Sequence, residues 1–222
     1  GVGKTVLLDT LKPLAIQNGW LWVGTDLTES ASLNEKNIAT RLLADLSVVT
    51  SSIIVGEEPI KQMGFSQDAN KSPLTLDYNS LESVFATTPG LVTDKLKAVL
   101  ELVWKVLKSF EISGLIFAYD EAQNMSDHAE KNQFPLSLLL DSFQSIQKKG
   151  IPFMLVLTGL PTLFPKLVEA RTFAERMFQI IFLDKLDRIA SREAILKPIR
   201  DQKKCPITFD ENAGDTITSL SG

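Results

Sequence analysis

The chain begins with Gly1-Val2-Gly3-Lys4-Thr5, and the rest of the sequence is best understood from that stretch. It matches the second half of the pattern G-x-x-x-x-G-K-[ST], in which glycines let successive backbone N–H groups point at phosphate oxygens. The lysine of that pattern contacts the outer phosphates, and the threonine hydroxyl contacts Mg²⁺. An apolar helical run follows directly, so the partial positive charge of a helix N-terminus is expected at the same place. The predicted phosphate-binding residues are Gly1, Val2, Gly3, Lys4, Thr5 and Val6.

Composition limits the classes of protein to consider. The 222 residues are 44% hydrophobic and 23% charged, which is typical of one large soluble domain, or of one domain and the start of another. A net charge of −4 provides no overall attraction to nucleic acid, so DNA contact would need a local basic patch or a domain outside this chain. The single cysteine, Cys205, excludes a disulfide framework and predicts a cytoplasmic location. No apolar run approaches about 20 residues, so no membrane partner is expected.

A second motif lies in the middle of the chain. The apolar run at 114–119 predicts a buried strand, and it ends in Asp120-Glu121. Parallel sheets place ligands beyond the carboxyl ends of their strands, so Asp120 is predicted to meet Thr5 at one Mg²⁺. Glu121 is predicted to act as the general base that activates water. The alternative is that the two acidic residues only cap the next helix and solvate the end of the strand.

Strands and helices alternate along the rest of the sequence, which predicts an α/β fold with a parallel sheet covered on both faces. Further strands are predicted at 20–25, 151–157 and 177–183. Residues 51–90 lack a clear period and contain polar and turn-forming stretches. We predict an irregular insertion or a mobile loop at 56–59 and 66–79.

These motifs resemble those of a known family. Lys4-Thr5, Asp120-Glu121 and Thr158 are similar to the Walker A, Walker B and sensor 1 motifs of AAA+ ATPases. The run at 120–123, Asp-Glu-Ala-Gln, resembles the branch near bacterial and archaeal origin-recognition ATPases and STAND signalling ATPases. The resemblance covers residues 1–198 and implies the sheet order 5-1-4-3-2, with the first strand expected before Gly1. It also implies a nucleotide-binding core at 1–205 and the start of a helical lid at 206–222.

The resemblance implies roles for three more residues. Thr158 corresponds to a polar side chain that contacts the γ-phosphate or the attacking water, although a plain strand-end threonine explains it equally well. Arg171 and Arg176 lie where such proteins carry an arginine finger, which completes the nucleotide site of a neighbouring subunit in a homo-oligomer. The competing interpretation is that an arginine is solvated or pairs with Glu169 or Glu175.

Two functions are therefore considered. The first is Mg²⁺-dependent ATP hydrolysis by an AAA+ module that drives conformational change. The second is a STAND or initiator-type nucleotide-dependent switch, or DNA-binding regulator, with slow turnover and with DNA contacts made by domains absent from this chain. A scaffold that binds ATP without using it is a third, simpler option. Gln123 is a candidate to orient Glu121 or to report the nucleotide state, and a simple polar residue at a helix start is the preferred alternative.

Overall fold

The computed structural model describes residues 3–59, 71–183, 186–201, 209 and 212–221. The chain divides into two compact units, Gly1–Gln179 and Ile180–Gly222. The elements of the first unit are α1 (Lys4–Gln17), β1 (Trp20–Val23), α2 (Glu35–Thr50), β2 (Ile54–Pro59), β3 (Lys71–Thr75), α3 (Tyr78–Thr87), α4 (Val92–Leu107), β4 (Gly114–Tyr119), α5 (Pro135–Lys148), β5 (Phe153–Leu157), α6 (Leu163–Ala170) and α7 (Ala174–Met177). Short 3-10 turns lie at Glu29–Ser32, Ala122–Asn124 and Ala129–Lys131.

Three parallel strands form the central sheet in the order β1-β4-β5. The middle strand, β4, is buried along its whole length. A strand buried on both faces is typical of a parallel sheet covered by helices on each side. The predicted α/β class is therefore confirmed as a small open parallel sheet flanked by helices.

The two faces of β4 pack against different helices. Leu115, Phe117 and Tyr119 belong to the main core, which also contains buried side chains of α2, α4 and α5. The ring of Phe117 meets that of Phe143 edge to face, with 4.9 Å between their centroids. On the opposite face, Ile116 and Ala118 pack with Leu8 of α1. The helix that carries the first motif therefore covers one face of the sheet.

The prediction of an irregular insertion or mobile loop at 56–59 and 66–79 is wrong for the strand and helix residues that the structure describes there. β2 and β3 form an antiparallel hairpin, and α3 follows it. The side chain of Asp77 accepts a hydrogen bond from the Ser80 N–H at 2.9 Å and caps α3. Residues 60–70 lie outside the described part. Neither the hairpin nor α3 has strong apolar periodicity; α3 has one fully buried side chain, Leu81.

The strand predicted at 177–183 is also wrong. Met177 ends the helical turn α7, and residues 178–183 form no regular structure. Ile181 and Phe182 are 72% and 71% exposed. Side chains of this kind favour strands, but a strand forms only where another strand supplies hydrogen bonds. Among the described residues, no strand pairs with this segment.

The second unit contains α8 (Arg188–Asp201) and α9 (Ala213–Ser221). Arg192 Nε lies 3.4 Å from Asp215 Oδ1 between these two helices. The boundary predicted at 205/206 falls in a stretch, 202–208, that lies outside the described residues, so the lid stays a prediction. Within the described parts of the chain, no helix combines the length and the apolar character needed to cross a membrane.

Candidate functional site

The carboxyl ends of the three strands converge on Asp120. Its N–H donates to the Thr25 carbonyl at 3.2 Å, and its own carbonyl accepts from the Leu27 N–H at 2.9 Å. The Thr158 N–H donates at 2.9 Å to the carbonyl of Tyr119, the residue that immediately precedes Asp120. These main-chain bonds continue the sheet past the ends of its strands. They hold Asp120 and Thr158 side by side at the edge where parallel sheets bind ligands.

The Asp120 carboxylate accepts three hydrogen bonds although the residue is only 4% exposed. The Thr5 hydroxyl donates to Oδ2 and the Thr158 hydroxyl to Oδ1, each at 2.5 Å. The Glu121 N–H donates to Oδ1 at 2.8 Å. Burial by itself raises the pKa of Asp120, but the hydrogen bonds from Thr158, Thr5 and Glu121, with the nearby charge of Lys4, outweigh it and lower the pKa. Asp120 is thus held as a carboxylate.

The start of α1 lies beside this carboxylate. Gly3 precedes the helix with φ +121°, a backbone conformation that favours glycine, and its carbonyl accepts from the Leu7 N–H at 2.8 Å. Gly3 has no side chain to cap the helix, and the first turn holds no acidic residue. The first N–H groups of α1 are therefore available to an anion. Val6 is 64% exposed, and Gly1 and Val2 lie outside the described residues.

Glu121 is held by partners from two sides. Lys4 Nζ lies 3.2 Å from Oε1, and Gln123 Nε2 donates to Oε2. These contacts lower the pKa of Glu121, the Gln123 hydrogen bond most and Lys4 next. The carboxylate is 45% exposed, so water can reach it.

The backbone at Glu121 adopts the left-handed conformation, with φ 52° and ψ 33°. Among the described residues, Asn132 is the one other non-glycine residue with positive φ. A glutamate in this region is strained, and such strain concentrates at functional sites. The sharp turn lets Asp120 face Thr5 while its neighbour Glu121 faces Lys4.

The residues predicted to hold Mg²⁺ fit that ion chemically. The Thr5 hydroxyl and the Asp120 carboxylate present adjacent oxygen atoms, which are the ligands that Mg²⁺ prefers. Within the part of the chain that the structure describes, no group of three or more Asp, Glu, His or Cys residues could hold a metal by itself. The protein would therefore supply one carboxylate and one hydroxyl, as is usual where substrate phosphates and water provide the other ligands.

The two arginines predicted as fingers lie in different settings. Arg171 forms a two-pronged pair with Asp141 of α5, at 2.8 Å from Nε and 2.7 Å from Nη2. The hydrogen bond to Asp141 raises the pKa of Arg171. Arg176 lies on α7 beside a shallow cavity of about 310 Å³ that Lys148 also lines. No hydrogen bond or ion pair in the described structure joins either arginine to Asp120 or Glu121, so the finger stays a prediction.

Two further features of the site involve residues outside the predicted set. Gln123 Nε2 donates to Glu121 Oε2, and Gln123 Oε1 accepts from the Leu160 N–H at 3.1 Å. Gln123 does lie in the short helical turn Ala122–Asn124, and its contact with Glu121 supports the alternative in which it orients Glu121, which was not the preferred one. Its place only two positions after Glu121 was the available sequence indication.

The second feature is a buried network beneath Asp120. The Tyr119 hydroxyl donates to Asp45 at 2.9 Å, and Arg41 donates to both Asp45 and the Thr25 hydroxyl. Burial, and then the charge of Asp45, raise the pKa of Tyr119 well above its ordinary value. Asp45 and Tyr119 lie on separate elements, so no local pattern joins them.

No protein-family model matches this chain, and no curated protein matches its sequence. The function is therefore argued from the geometry of the site.

Proposed function

We propose that this chain binds ATP with Mg²⁺ at the start of α1 and hydrolyses it, as an AAA+ ATPase module whose turnover drives conformational change. The observation that carries the proposal is the convergence on Asp120: the hydroxyls of Thr5 and Thr158 both donate to one buried carboxylate. These residues are 115 and 38 positions away from Asp120 in sequence. Lys4 reaches the neighbouring Glu121 across a similar separation. A lysine, two hydroxyls and two carboxylates at an uncapped helix start form a set suited to phosphate and Mg²⁺.

Each residue has a distinct role in this proposal. The N–H groups at the start of α1 and the Lys4 ammonium bind phosphate oxygens. Thr5 and Asp120 would hold Mg²⁺, which would supply positive charge to neutralise the phosphates. Glu121 accepts a proton from water while the water oxygen bonds to the γ-phosphorus and the bond to the β–γ bridging oxygen breaks. Thr158 keeps Asp120 oriented and lies next to the same phosphate.

The order of the sheet supports the AAA+ assignment. The observed order β1-β4-β5 has three parallel strands side by side in their order along the chain, as in the run 4-3-2 of the order 5-1-4-3-2. The site lies beyond the carboxyl ends of these strands, as the proposal requires. A homo-oligomer completed by Arg171 or Arg176, and DNA contact through other domains, remain parts of the proposal that rest on family resemblance.

A slow nucleotide-dependent switch of the STAND or initiator type is the second candidate, and one observation favours it. Both carboxylate oxygens of Glu121 already have partners, Lys4 and Gln123. A general base held in this way has to be released before it can accept a proton from water. If that release limits turnover, ATP stays bound for longer, and the bound nucleotide sets the conformation of the protein.

Binding of ATP tests the shared part of both candidates. We expect Lys4→Ala to weaken MgATP binding by about 10- to 100-fold, because it removes charge-assisted hydrogen bonds to phosphate. Lys105→Ala, an exposed lysine of α4, is the matched control and should leave affinity unchanged. Isothermal titration calorimetry with and without Mg²⁺ measures both. Equal affinities for the two variants, or no binding by the wild type, would reject the site.

Turnover then separates the candidates. If the chain is an ATPase, phosphate release by wild type should exceed that of Glu121→Gln by about 100-fold or more, the usual contribution of a general base. If wild type binds MgATP tightly but releases phosphate no faster than Glu121→Gln, the switch is supported. Colorimetric phosphate release at saturating MgATP gives the comparison directly.

A further inference from the structure

The Gln123 side chain bridges two elements of the site. Its Nε2 donates to Glu121 Oε2, and its Oε1 accepts from the Leu160 N–H at 3.1 Å. An amide that uses its donor and its acceptor on different partners has one defined orientation. The bridge therefore links the Glu121 carboxylate to the turn that follows Thr158.

The turn at Gly159 is shaped to fit this amide. Gly159 does not have the positive φ that favours glycine at Gly3 or Gly150. A Cβ at Gly159 would instead lie 2.9 Å from Gln123 Oε1 and 2.9 Å from Leu163 Cδ2. A larger residue at this position would therefore displace the end of the Gln123 or the Leu163 side chain.

A lysine of α6 fixes the main chain of Gln123. Lys166 Nζ donates to the Gln123 carbonyl at 2.9 Å and to the Ser126 hydroxyl at 3.1 Å. Lys166 therefore ties α6 to the turn that carries Gln123. Both the backbone and the side chain of Gln123 are held by the segment that follows Thr158.

We infer that Gln123 is a positioning residue that couples the orientation of the Glu121 carboxylate to the turn at Gly159–Leu160. In the described structure, Lys4 and Gln123 are the two side chains that hold this carboxylate. Phosphate binding draws Lys4 away, so that Gln123 remains on Oε2 and Oε1 is free to accept a proton from water. The turn follows Thr158, whose hydroxyl binds Asp120, so a shift at Thr158 reaches Glu121 through Gln123. The consequence for turnover rests on the proposed ATPase function, whereas the coupling itself does not.

Amide hydrogen exchange tests the coupling without nucleotide. We expect Gln123→Ala to speed exchange of the Leu160 amide by about tenfold, because its hydrogen bond is lost. Glu121→Ala should speed exchange of the same amide by a few-fold, because Glu121 orients the glutamine that binds it. Gln17→Ala, at the far end of α1, is the control and should change nothing. Unchanged exchange of Leu160 in Glu121→Ala would overturn the coupling, whether or not the chain hydrolyses ATP.

A double-mutant cycle tests the consequence for turnover. Gln123→Ala should lower kcat by about 10- to 100-fold through misplacement of Glu121, with KM changed by less than about threefold. In the Glu121→Gln background, Gln123→Ala should cause no further fall in kcat, since it acts only through Glu121. Gln17→Ala should leave kcat and KM at wild-type values. Equal falls in kcat in both backgrounds would show a general structural role and overturn the proposal.

The two tests fail separately from the proposed function. If wild type neither binds nor hydrolyses ATP, the function is rejected, and the exchange experiment still decides whether Gln123 couples Glu121 to Leu160. If Lys4→Ala weakens MgATP binding as expected but the cycle is additive, the function stands and the positioning role is rejected.

Discussion

Lys4 Nζ lies 3.2 Å from Glu121 Oε1, although 117 positions separate the two residues in sequence. The Lys4 side chain is only 12% exposed, so it is held near the start of α1 rather than extended into water. The ion pair spans the place where a phosphate would meet the N–H groups of that helix. In the proposed function, a bound triphosphate would replace the Glu121 carboxylate as the partner of Lys4.

Glu121→Gln should separate binding from turnover. The substitution removes the charge that competes for Lys4, so we expect affinity for MgATP to rise by a few-fold, the modest amount typical of half-exposed ion pairs. Phosphate release should fall by about 100-fold or more in the same variant. Calorimetric titration and a single-turnover assay on one preparation measure both quantities. A fall in affinity would mean that Glu121 supports nucleotide binding and does not compete with it.

Arg171 and Arg176 should differ in their effects on stability. Arg171→Ala removes the two-pronged pair with Asp141, and we expect a loss of about 1 kcal/mol in the free energy of unfolding. Arg176→Ala breaks no such pair and should change stability by less than about 0.5 kcal/mol. Urea denaturation measures the difference.

If Arg176 is the finger, Arg176→Ala should reduce turnover of the assembled protein by about 10³-fold, as loss of an arginine finger does. Normal turnover of both variants at high protein concentration removes the finger from the proposal.

Because the backbone at Glu121 is strained, a glycine variant at this position should be more stable than an alanine variant, the reverse of the usual order of stability in a helix. Glu121→Gly and Glu121→Ala both delete the carboxylate, but only glycine tolerates φ 52° without strain. We expect the glycine variant to melt about 2–4 °C above the alanine variant. At Glu82, inside α3, alanine should be the more stable of the pair, because glycine is unfavourable in a helix interior. Differential scanning fluorimetry of the four variants is the measurement, and the same order at both positions would contradict the strain.

Burial of Tyr119 should make the protein sensitive to alkali. The folded state holds the pKa of Tyr119 well above 10.0, so above that pH the unfolded chain loses a proton that the folded chain keeps. Stability should therefore fall as pH rises past about 10, by up to about 1.4 kcal/mol per pH unit from this group. The stability of Tyr119→Phe should fall less steeply as pH rises. The stability of the other tyrosine variant, Tyr78→Phe, should fall with pH as steeply as that of wild type. Urea midpoints between about pH 8 and 11 provide the test, and parallel curves for all three proteins would contradict it.

Replacement of Gly24, the glycine that follows β1, should destabilise the protein strongly. A Cβ at Gly24 would lie 1.9 Å from the Ala118 carbonyl oxygen, and its φ of +131° also disfavours other residues. We expect Gly24→Ala to cost at least about 3 kcal/mol in the free energy of unfolding, or to prevent folding. Gly150 also has positive φ, +71°, but open space around it, so Gly150→Ala should cost about 1 kcal/mol. Similar losses in the two variants by urea denaturation would show that backbone conformation alone, without the close approach of β1 to β4, sets the cost.

Local sequence patterns were enough to predict the three parallel strands and four residues of the candidate site. Short motifs carried by single segments identified Lys4, Thr5, Asp120 and Glu121, and the structure brings these four side chains together. The apolar runs that became β1, β4 and β5 were predicted because a buried parallel strand needs apolar side chains on both faces. Thr158 was found through its place after such a strand, and it donates to Asp120.

Other features could not be predicted from local pattern. The apolar segment at 178–183 has the composition of a strand, yet its structure depends on a neighbouring strand, which composition does not reveal. The bidentate pair of Arg171 with Asp141 joins the residue that follows α6 to a residue of α5, and no motif connects them. Asp45 beneath Tyr119, and Gln123 between Glu121 and Leu160, likewise depend on which surfaces meet. Sequence periodicity reports which face of one element is apolar, whereas partners of charged and polar side chains are chosen only when separate elements pack. For this protein the sequence therefore specifies the three parallel strands and the four residues of the proposed phosphate site, and packing specifies which side chains orient them.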